Sequence, residues 1–458
     1  MPEQKSERKW FWFAVLLVLA ATNTLRRLGA SFWMDEIIMV QQFASKAWLK
    51  IVTEVPYPNN HILYTLLAKI SISIFGKNEW DARLPAVIAG TLTPPLLYLV
   101  LRKRFLFKAS LLAPVFLALN FWAVWFSQDA RGYAPMILFV LLANYFLLEY
   151  LENGGRKIAL GYVLCAALAV HFYLYAMFVI AGQGIWVLVC LARKRTPANT
   201  LILAALAGLL GTALYFPGLP QLFNYATHAG KMSAQHPLNL VLLKDVLLMA
   251  AGARTVTVGL ALLILALPGM VVLAKKWPGF VVINLAAAAL IAIFTLALHT
   301  FIYARFFSFL ILLPSIGLGL TMQLIAGHPT KTWRGIAMCL VGIASGILLL
   351  VGLSAYRQYG KEDFKGVAAY LKHNYSSGQV ICAGVICEEL KYYYPELSTS
   401  LSEQTPLTPE LVKGRVIVSR RVDWTAANLA FAAANCREEK IWPSAGYREN
   451  VLWIWNCP

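Results

Sequence analysis

Apolar runs near the length of one membrane crossing recur along this chain and constrain its fold more than any other feature. A helix needs about 20 residues to cross hydrocarbon, where only helices and closed barrels satisfy every backbone amide. Such runs lie at roughly 10–28, 82–101, 109–126, 133–150, 157–172, 175–192, 200–216, 256–274, 280–298, 306–325 and 335–354. They predict an all-α multi-span membrane protein with about eleven transmembrane helices. Composition agrees. Only 14% of the 458 residues are charged, against about a quarter in soluble domains, and mean hydropathy is +0.63. The first run is long for a signal-peptide core and has no small-x-small cleavage site before Arg26, so it reads as a retained span.

Lys and Arg concentrate at alternate connections: Lys5, Arg8 and Lys9; Arg102, Lys103, Arg104 and Lys108; Arg193 to Arg195; Lys275 and Lys276; Lys331 and Arg334. Such clusters stay in the cytoplasm. An odd number of spans then puts the N-terminus inside and the last hundred or so residues outside. The net charge of +18 is partly topological. Its clusters sit at helix ends instead of on one face, which argues against a nucleic-acid partner.

The expected domains are 1–355 within the membrane, with a first outer loop at 26–81, and 356–458 outside it. In the tail, EDFKGVAAYLKHN reads as a capped amphipathic helix. GQVICAG, GRVIVSR and NVLWIW read as strands, with EELKYYY helical between the first two. The tail is therefore expected to be a small α/β domain. Of seven cysteines, Cys165, Cys190 and Cys339 fall in spans. The other four, Cys382, Cys387, Cys436 and Cys457, lie in the tail, where two disulfides would have three possible connectivities. In the first loop, residues 62–75 are apolar but too short to span, as expected of a helix lying at the interface.

Polar side chains gather on the outer side. They include Asp35 and Glu36, the run Asn59, Asn60 and His61, Asp81 and Arg83, SQDARGY at 127–133, HFYLY at 171–175 and HTFIYARF at 299–306. Inner ends carry little besides Lys and Arg. The asymmetry implies a cavity at the outer leaflet with carboxylates that can act as bases and arginines, Arg131 and Arg305, that can clamp a phosphate.

Taken in order, WMDE, NNHILYTLLAKISISIFGKNEWDARLPAVIAG, SQDARGY, HFYLYAMF, YARFFSFLILLP and EDFKGVAAYL resemble the GT-C glycosyltransferases over about 10–370. The nearest branch is the bacterial one, similar to dolichyl-phosphate-mannose protein mannosyltransferases, the lipid A aminoarabinose transferase and rhizobial core transferases. The resemblance implies an inverting enzyme of the bacterial inner membrane with its C-terminal domain in the periplasm. Its donor would be an undecaprenyl-phosphate sugar, its acceptor a glycan, lipid or protein, and lipopolysaccharide or another envelope glycan the product. Such a reaction needs one base for the acceptor hydroxyl and cations for the departing phosphate.

Asp35 matches the family's first-loop catalytic aspartate; the alternative is that it and Glu36 cap the helix starting near Ile37. Glu36 can orient the acceptor or Asp35. Arg131 and Arg305 are the expected phosphate ligands unless they merely snorkel. Tyr133 and Tyr303 can donate to the phosphate or act as interfacial anchors. Gln128 and Asp129 are candidates for sugar hydroxyls or a divalent metal ion. His61, His171 and Tyr173 complete the candidate sugar or acceptor site; with a carboxylate the histidines can instead ligate that ion, or be structural. Arg83 with Asp81 reads as a loop-fixing pair. FWAVWF at 121–126 is a candidate wall for the lipid chain, and THAGKMSAQHP in the second outer loop a candidate cover. A transporter or flippase of lipid-linked saccharides is the competing class. It should show mid-membrane charges and an internal repeat, and neither is visible.

Overall fold

The computed structural model describes residues 2–57, 59–228, 238–327, 331–402, 404–420, 423–444 and 451–458. The proposed covering segment of the second loop lies mostly outside them. The chain forms two compact units: 1–26, 43–76 and 81–353 in one, and 27–42, 77–80 and 354–458 in the other.

The first unit is helical. Among the described residues, eight helices are long and apolar enough to cross a membrane, from Glu79–Leu101 through Thr332–Gln358. A ninth is obtained if Phe107–Leu119 and Phe121–Ser127, which meet at 64°, form one bent span. The bend falls at Asn120, whose carboxamide oxygen accepts from the Ala123 N–H at 3.0 Å and so begins a second helix. Expected spans at 10–28 and 157–172 are helices Pro2–Thr24 and Arg156–Phe172, the latter only 17 residues long; neither is among the eight, so the count stands below the eleven read from hydropathy. Ile62–Phe75 is the expected short helix.

Burial separates central from peripheral helices. Ala304–Ala326 is 72% buried over its apolar window, whereas Val256–Lys276 is 28% buried and exposes Leu260, Ile264 and Leu267. Lipid tails are as apolar as these side chains, so helix association there depends on close fit. At Gly269, on Val256–Lys276, a methyl group would lie 1.9 Å from the Gly317 carbonyl oxygen of Leu312–Ala326. The space left by the missing side chain lets the backbones approach, and the Gly269 N–H donates to Thr321 Oγ1 at 3.0 Å. Buried polar groups are likewise paired between helices: Tyr162 donates to Gln183, which donates to Asn144.

The second unit contains a five-stranded sheet with β1 (Val380–Ala383), β2 (Thr399–Leu401), β3 (Arg415–Arg420), β4 (Arg437–Trp442) and β5 (Leu452–Cys457), in the order β2-β1-β3-β5-β4. β1 runs parallel to β2 and β3, while β5 runs antiparallel to β3 and β4. The three expected strands are β1, β3 and β5; β2 and β4 add the edges. Phe364–Asn374 is the expected amphipathic helix, started by Asp363 accepting from the Gly366 N–H at 2.9 Å. Ile381, Ile417, Ala432 and Trp455 form the core of the sheet.

The disulfides are Cys382–Cys387 and Cys436–Cys457, separated by 5 and 21 residues. Closing a loop restricts the unfolded chain more as the loop lengthens. Replacing Cys436 and Cys457 together by serine is therefore expected to destabilise the second unit by about 3 kcal/mol, against about 2 kcal/mol for the Cys382 and Cys387 pair. Thermal unfolding of the full chain checks the order.

Candidate functional site

In the first unit, the outer-side motifs meet around one histidine. His61, 2% exposed, directly precedes helix Ile62–Phe75. The Gly132 N–H donates to its Nδ1 at 2.8 Å, and Arg131 Nη2 lies 3.0 Å from its Nε2. Its ring lies 5.4 Å from that of Tyr133 and 4.8 Å from that of Tyr173. Gly132 permits this approach. A methyl group there would lie 1.8 Å from the Phe172 carbonyl oxygen and 2.9 Å from His61 Nδ1.

The guanidinium of Arg131, also 2% exposed, is held from its far side: Nη1 donates to the Asn59 carbonyl at 3.1 Å and Nη2 to the Asn59 side-chain oxygen at 2.7 Å. Arg305 stacks 4.2 Å from the centre of the Tyr303 ring, and Tyr303 and Tyr175 both pack on Phe306. Burial, and then the charges of Arg131 and Arg305, hold His61 well below the usual imidazole range, so it is neutral near pH 7. Each ring nitrogen thus faces a donor, Nδ1 the Gly132 N–H and Nε2 the Arg131 guanidinium. The Arg131 guanidinium is the charged donor of the cluster, and an anionic oxygen that reaches it would be stabilised. The Tyr173 hydroxyl is buried without a hydrogen-bond partner among the described residues, as is His171 Nδ1.

Gln128 and Asp129, from the same motif as Arg131, are also buried. The Gln128 carboxamide nitrogen donates to the carbonyls of Asn23 at 2.9 Å, Thr24 at 3.0 Å and Arg26, so it caps the end of the first helix instead of presenting an amide to sugar. Asp129 is fully buried; its carbonyl receives the Arg131 N–H at 2.6 Å and the Tyr64 hydroxyl at 3.5 Å. Asp81 and Arg83 are buried. No group of three or more His, Cys, Asp or Glu side chains among the described residues is arranged to hold a metal ion.

Asp35 and Glu36 belong to the second unit, on the five-residue helix Met34–Ile38. Glu36 is fully buried. It accepts from the Trp33 N–H at 3.2 Å through Oε2 and meets Lys361 Nζ at 3.5 Å through Oε1. These contacts give Glu36 the capping role at the start of the helix. Asp35, 7% exposed, is the acid of the pair that these bonds do not engage. The segment before it is fastened too: Tyr393 Oη receives the Phe32 N–H at 2.8 Å, Ser31 Oγ the Lys365 N–H at 3.2 Å, and Arg27 donates to the Tyr356 and Gln358 carbonyls. Tyr393 donates in turn to Glu79, which pairs with Lys365 at 3.0 Å.

Sequence reading missed Asn59 as the guanidinium anchor, although it stands two residues before His61. It also missed Gly132, signalled only by a glycine between two candidate ligands, and Lys361, which follows the last span beside the quoted EDFK.

Residues 58–220 match the family described as dolichyl-phosphate-mannose-protein mannosyltransferase, and no curated protein matches the sequence. Solved structures are similar over almost the whole chain. ArnT from Cupriavidus metallidurans, bound to undecaprenyl phosphate, is 12% identical, with 97% of each chain covered and a TM-score of 0.58. An Archaeoglobus fulgidus oligosaccharyltransferase tethered to an acceptor peptide is 11% identical, with 98% of this chain and 74% of that one covered and a TM-score of 0.55.

Gly132→Ala is expected to cost about 1–3 kcal/mol through overpacking and to displace the His61 ring, measured as a lower unfolding temperature of the purified protein. Unchanged stability would mean that the strand of contacts around Gly132 is loose. Over nearly its whole length this chain shares the fold of these two structures, and the mannosyltransferase family match lies within it at residues 58–220.

Proposed function

We propose that this protein transfers a sugar from an undecaprenyl-phosphate carrier to an acceptor hydroxyl on the periplasmic face of the bacterial inner membrane. The observation that carries the reading is the cluster around His61: two arginines, a neutral imidazole, and a buried Tyr173 hydroxyl with no partner among the described residues. Donors of this kind suit a phosphate that gains charge as it leaves. Relatives of the same fold have been crystallised with undecaprenyl phosphate and with an acceptor peptide, and the mannosyltransferase family match covers the segment that contains His61 and Arg131.

In the reaction, Asp35 takes the proton of the acceptor hydroxyl as its oxygen bonds to the anomeric carbon. The bond from that carbon to the phosphate oxygen breaks, and its electron pair leaves on the polyprenyl phosphate. A single displacement inverts the anomeric centre. Arg131 and Arg305 offset the charge on the leaving phosphate, with Tyr133 and Tyr303 as further candidate donors. The N-terminus is cytoplasmic and the C-terminal part periplasmic, as the alternation of Lys and Arg requires. Acceptors in the envelope, lipopolysaccharide among them, lie on that side.

Two measurements test this. Mass spectrometry of envelope glycans should reveal a sugar present with the gene and absent without it, restored by wild type but not by folded Asp35→Asn. Full restoration by that variant would remove Asp35 from the chemistry. Binding of undecaprenyl phosphate to purified protein should weaken roughly tenfold or more in Arg131→Ala and in Arg305→Ala, the scale of a lost charge-assisted contact; unchanged affinity in both would refute the clamp.

A further inference from the structure

The Arg131 guanidinium is held by a segment that is itself fastened on both sides. Asn59 offers it two oxygens of one residue: Nη1 donates to the backbone carbonyl at 3.1 Å and Nη2 to the side-chain oxygen at 2.7 Å. Before Asn59 in the chain, the Val55 N–H donates to Gln221 Oε1 at 2.9 Å, and Gln221 Nε2 donates to the Thr53 carbonyl at 2.9 Å. Gln221 stands on helix Leu219–His228. After Asn59, the buried Asn60 donates through Nδ2 to the Ile51 carbonyl at 2.7 Å and accepts from Thr65 Oγ1 at 3.0 Å. Asn60 thereby ties helix Trp48–Thr53 to helix Ile62–Phe75. His61 follows, with Gly132 at one ring nitrogen and Arg131 at the other.

Resting on the proposed binding of the carrier phosphate by Arg131, we infer that Asn59 is a positioning residue that sets the affinity for that phosphate by fixing the direction of the guanidinium. A long side chain that is ordered only when its ligand arrives subtracts its lost rotamer freedom from the affinity, and an anchor that orders it beforehand removes that cost. Two acceptors on one fastened residue are such an anchor, because together they fix the plane of the guanidinium as well as its position. Asparagine suits the task because both of its oxygens are uncharged acceptors. A carboxylate in the same place would keep both contacts but pair with the guanidinium by charge, and an arriving phosphate would then meet a negative group across Arg131. Stability alone asks only that the two bonds be made. Carrier binding asks in addition that the anchor be neutral, and this separates a positioning role from a structural one.

The test measures binding of undecaprenyl phosphate to the purified full-length protein, with the unfolding temperature recorded alongside. Asn59→Ala, which keeps the backbone acceptor and deletes the other, should weaken binding by roughly threefold to tenfold, the net scale of one hydrogen bond. In protein that already carries Arg131→Ala the same change should add nothing, because its effect passes through the missing guanidinium. Asn59→Asp should leave the unfolding temperature at or above that of wild type and still weaken binding by about tenfold. Unchanged affinity in Asn59→Ala would overturn the inference. So would equal weakening with and without Arg131, since Asn59 would then act on the carrier or on the fold directly. An Asn59→Asp variant that binds as wild type does would overturn it too, and this variant decides the question where Asn59→Ala does not fold or the Arg131→Ala affinity falls below measurement. Failure of wild type to bind undecaprenyl phosphate would instead refute the carrier reading on which the inference rests.

Discussion

Hydrocarbon offers backbone amides no partner, and everything else in this chain is arranged around that constraint. Within the spans each N–H and C=O must be satisfied inside the protein, almost always by its own helix, which leaves side chains to fit helices together. Gly269 against Gly317 and the Tyr162–Gln183–Asn144 series are what remains possible there: a close backbone approach and a small, fully internal polar set. Ionisable chemistry is displaced to helix ends and connecting segments. His61, Arg131 and Arg305 all stand where a helix begins or a span gives way to loop.

Burying charge at such places has two outcomes here. Arg131 has Asn59 on one side and a neutral histidine on the other, and these contacts orient its charge. An anion arriving beside it would recover energy lost when the guanidinium was desolvated. Around Arg420 the balance is reversed: Glu362 and Asp423 both pair with one guanidinium, and burial pushes the Glu362 and Glu389 carboxyls up to about 7. The first arrangement attracts negative charge; the second stores protons. In both, desolvation is the largest cause of the shift.

The sequence made the periodic parts of the fold legible and left the long-range parts dark. Helix Ile62–Phe75 and strands β1, β3 and β5 follow from local apolar pattern. β2 and β4 do not: β2 has three residues, and β4 carries Arg437, Glu438 and Lys440 exposed at the sheet edge, where no buried face imposes alternation. His61, Arg131, Tyr133, Tyr173 and Arg305 could be collected by sidedness, because lipid forces polar groups to the ends. Gln128 could not be told from them, since a capping amide and a ligand amide look alike in a string. Nothing local announces that Glu36 meets Lys361, 325 positions later, or that Glu362 meets Arg420.

The five-residue helix that carries Asp35 brings these strands together. One turn of helix has no stability of its own, because nucleation costs more than a single turn returns. Its geometry is therefore a property of what touches it: the Glu36–Lys361 pair, the Phe32–Tyr393 and Ser31–Lys365 bonds and the anchoring of Arg27. All of these partners come from the end of the last span or from residues after it. A chain that places its candidate base on so short a helix must supply the rigidity from elsewhere in the sequence. The C-terminal sheet and its flanking helices are accordingly as much a part of the acid's environment as the loop on which the acid is written.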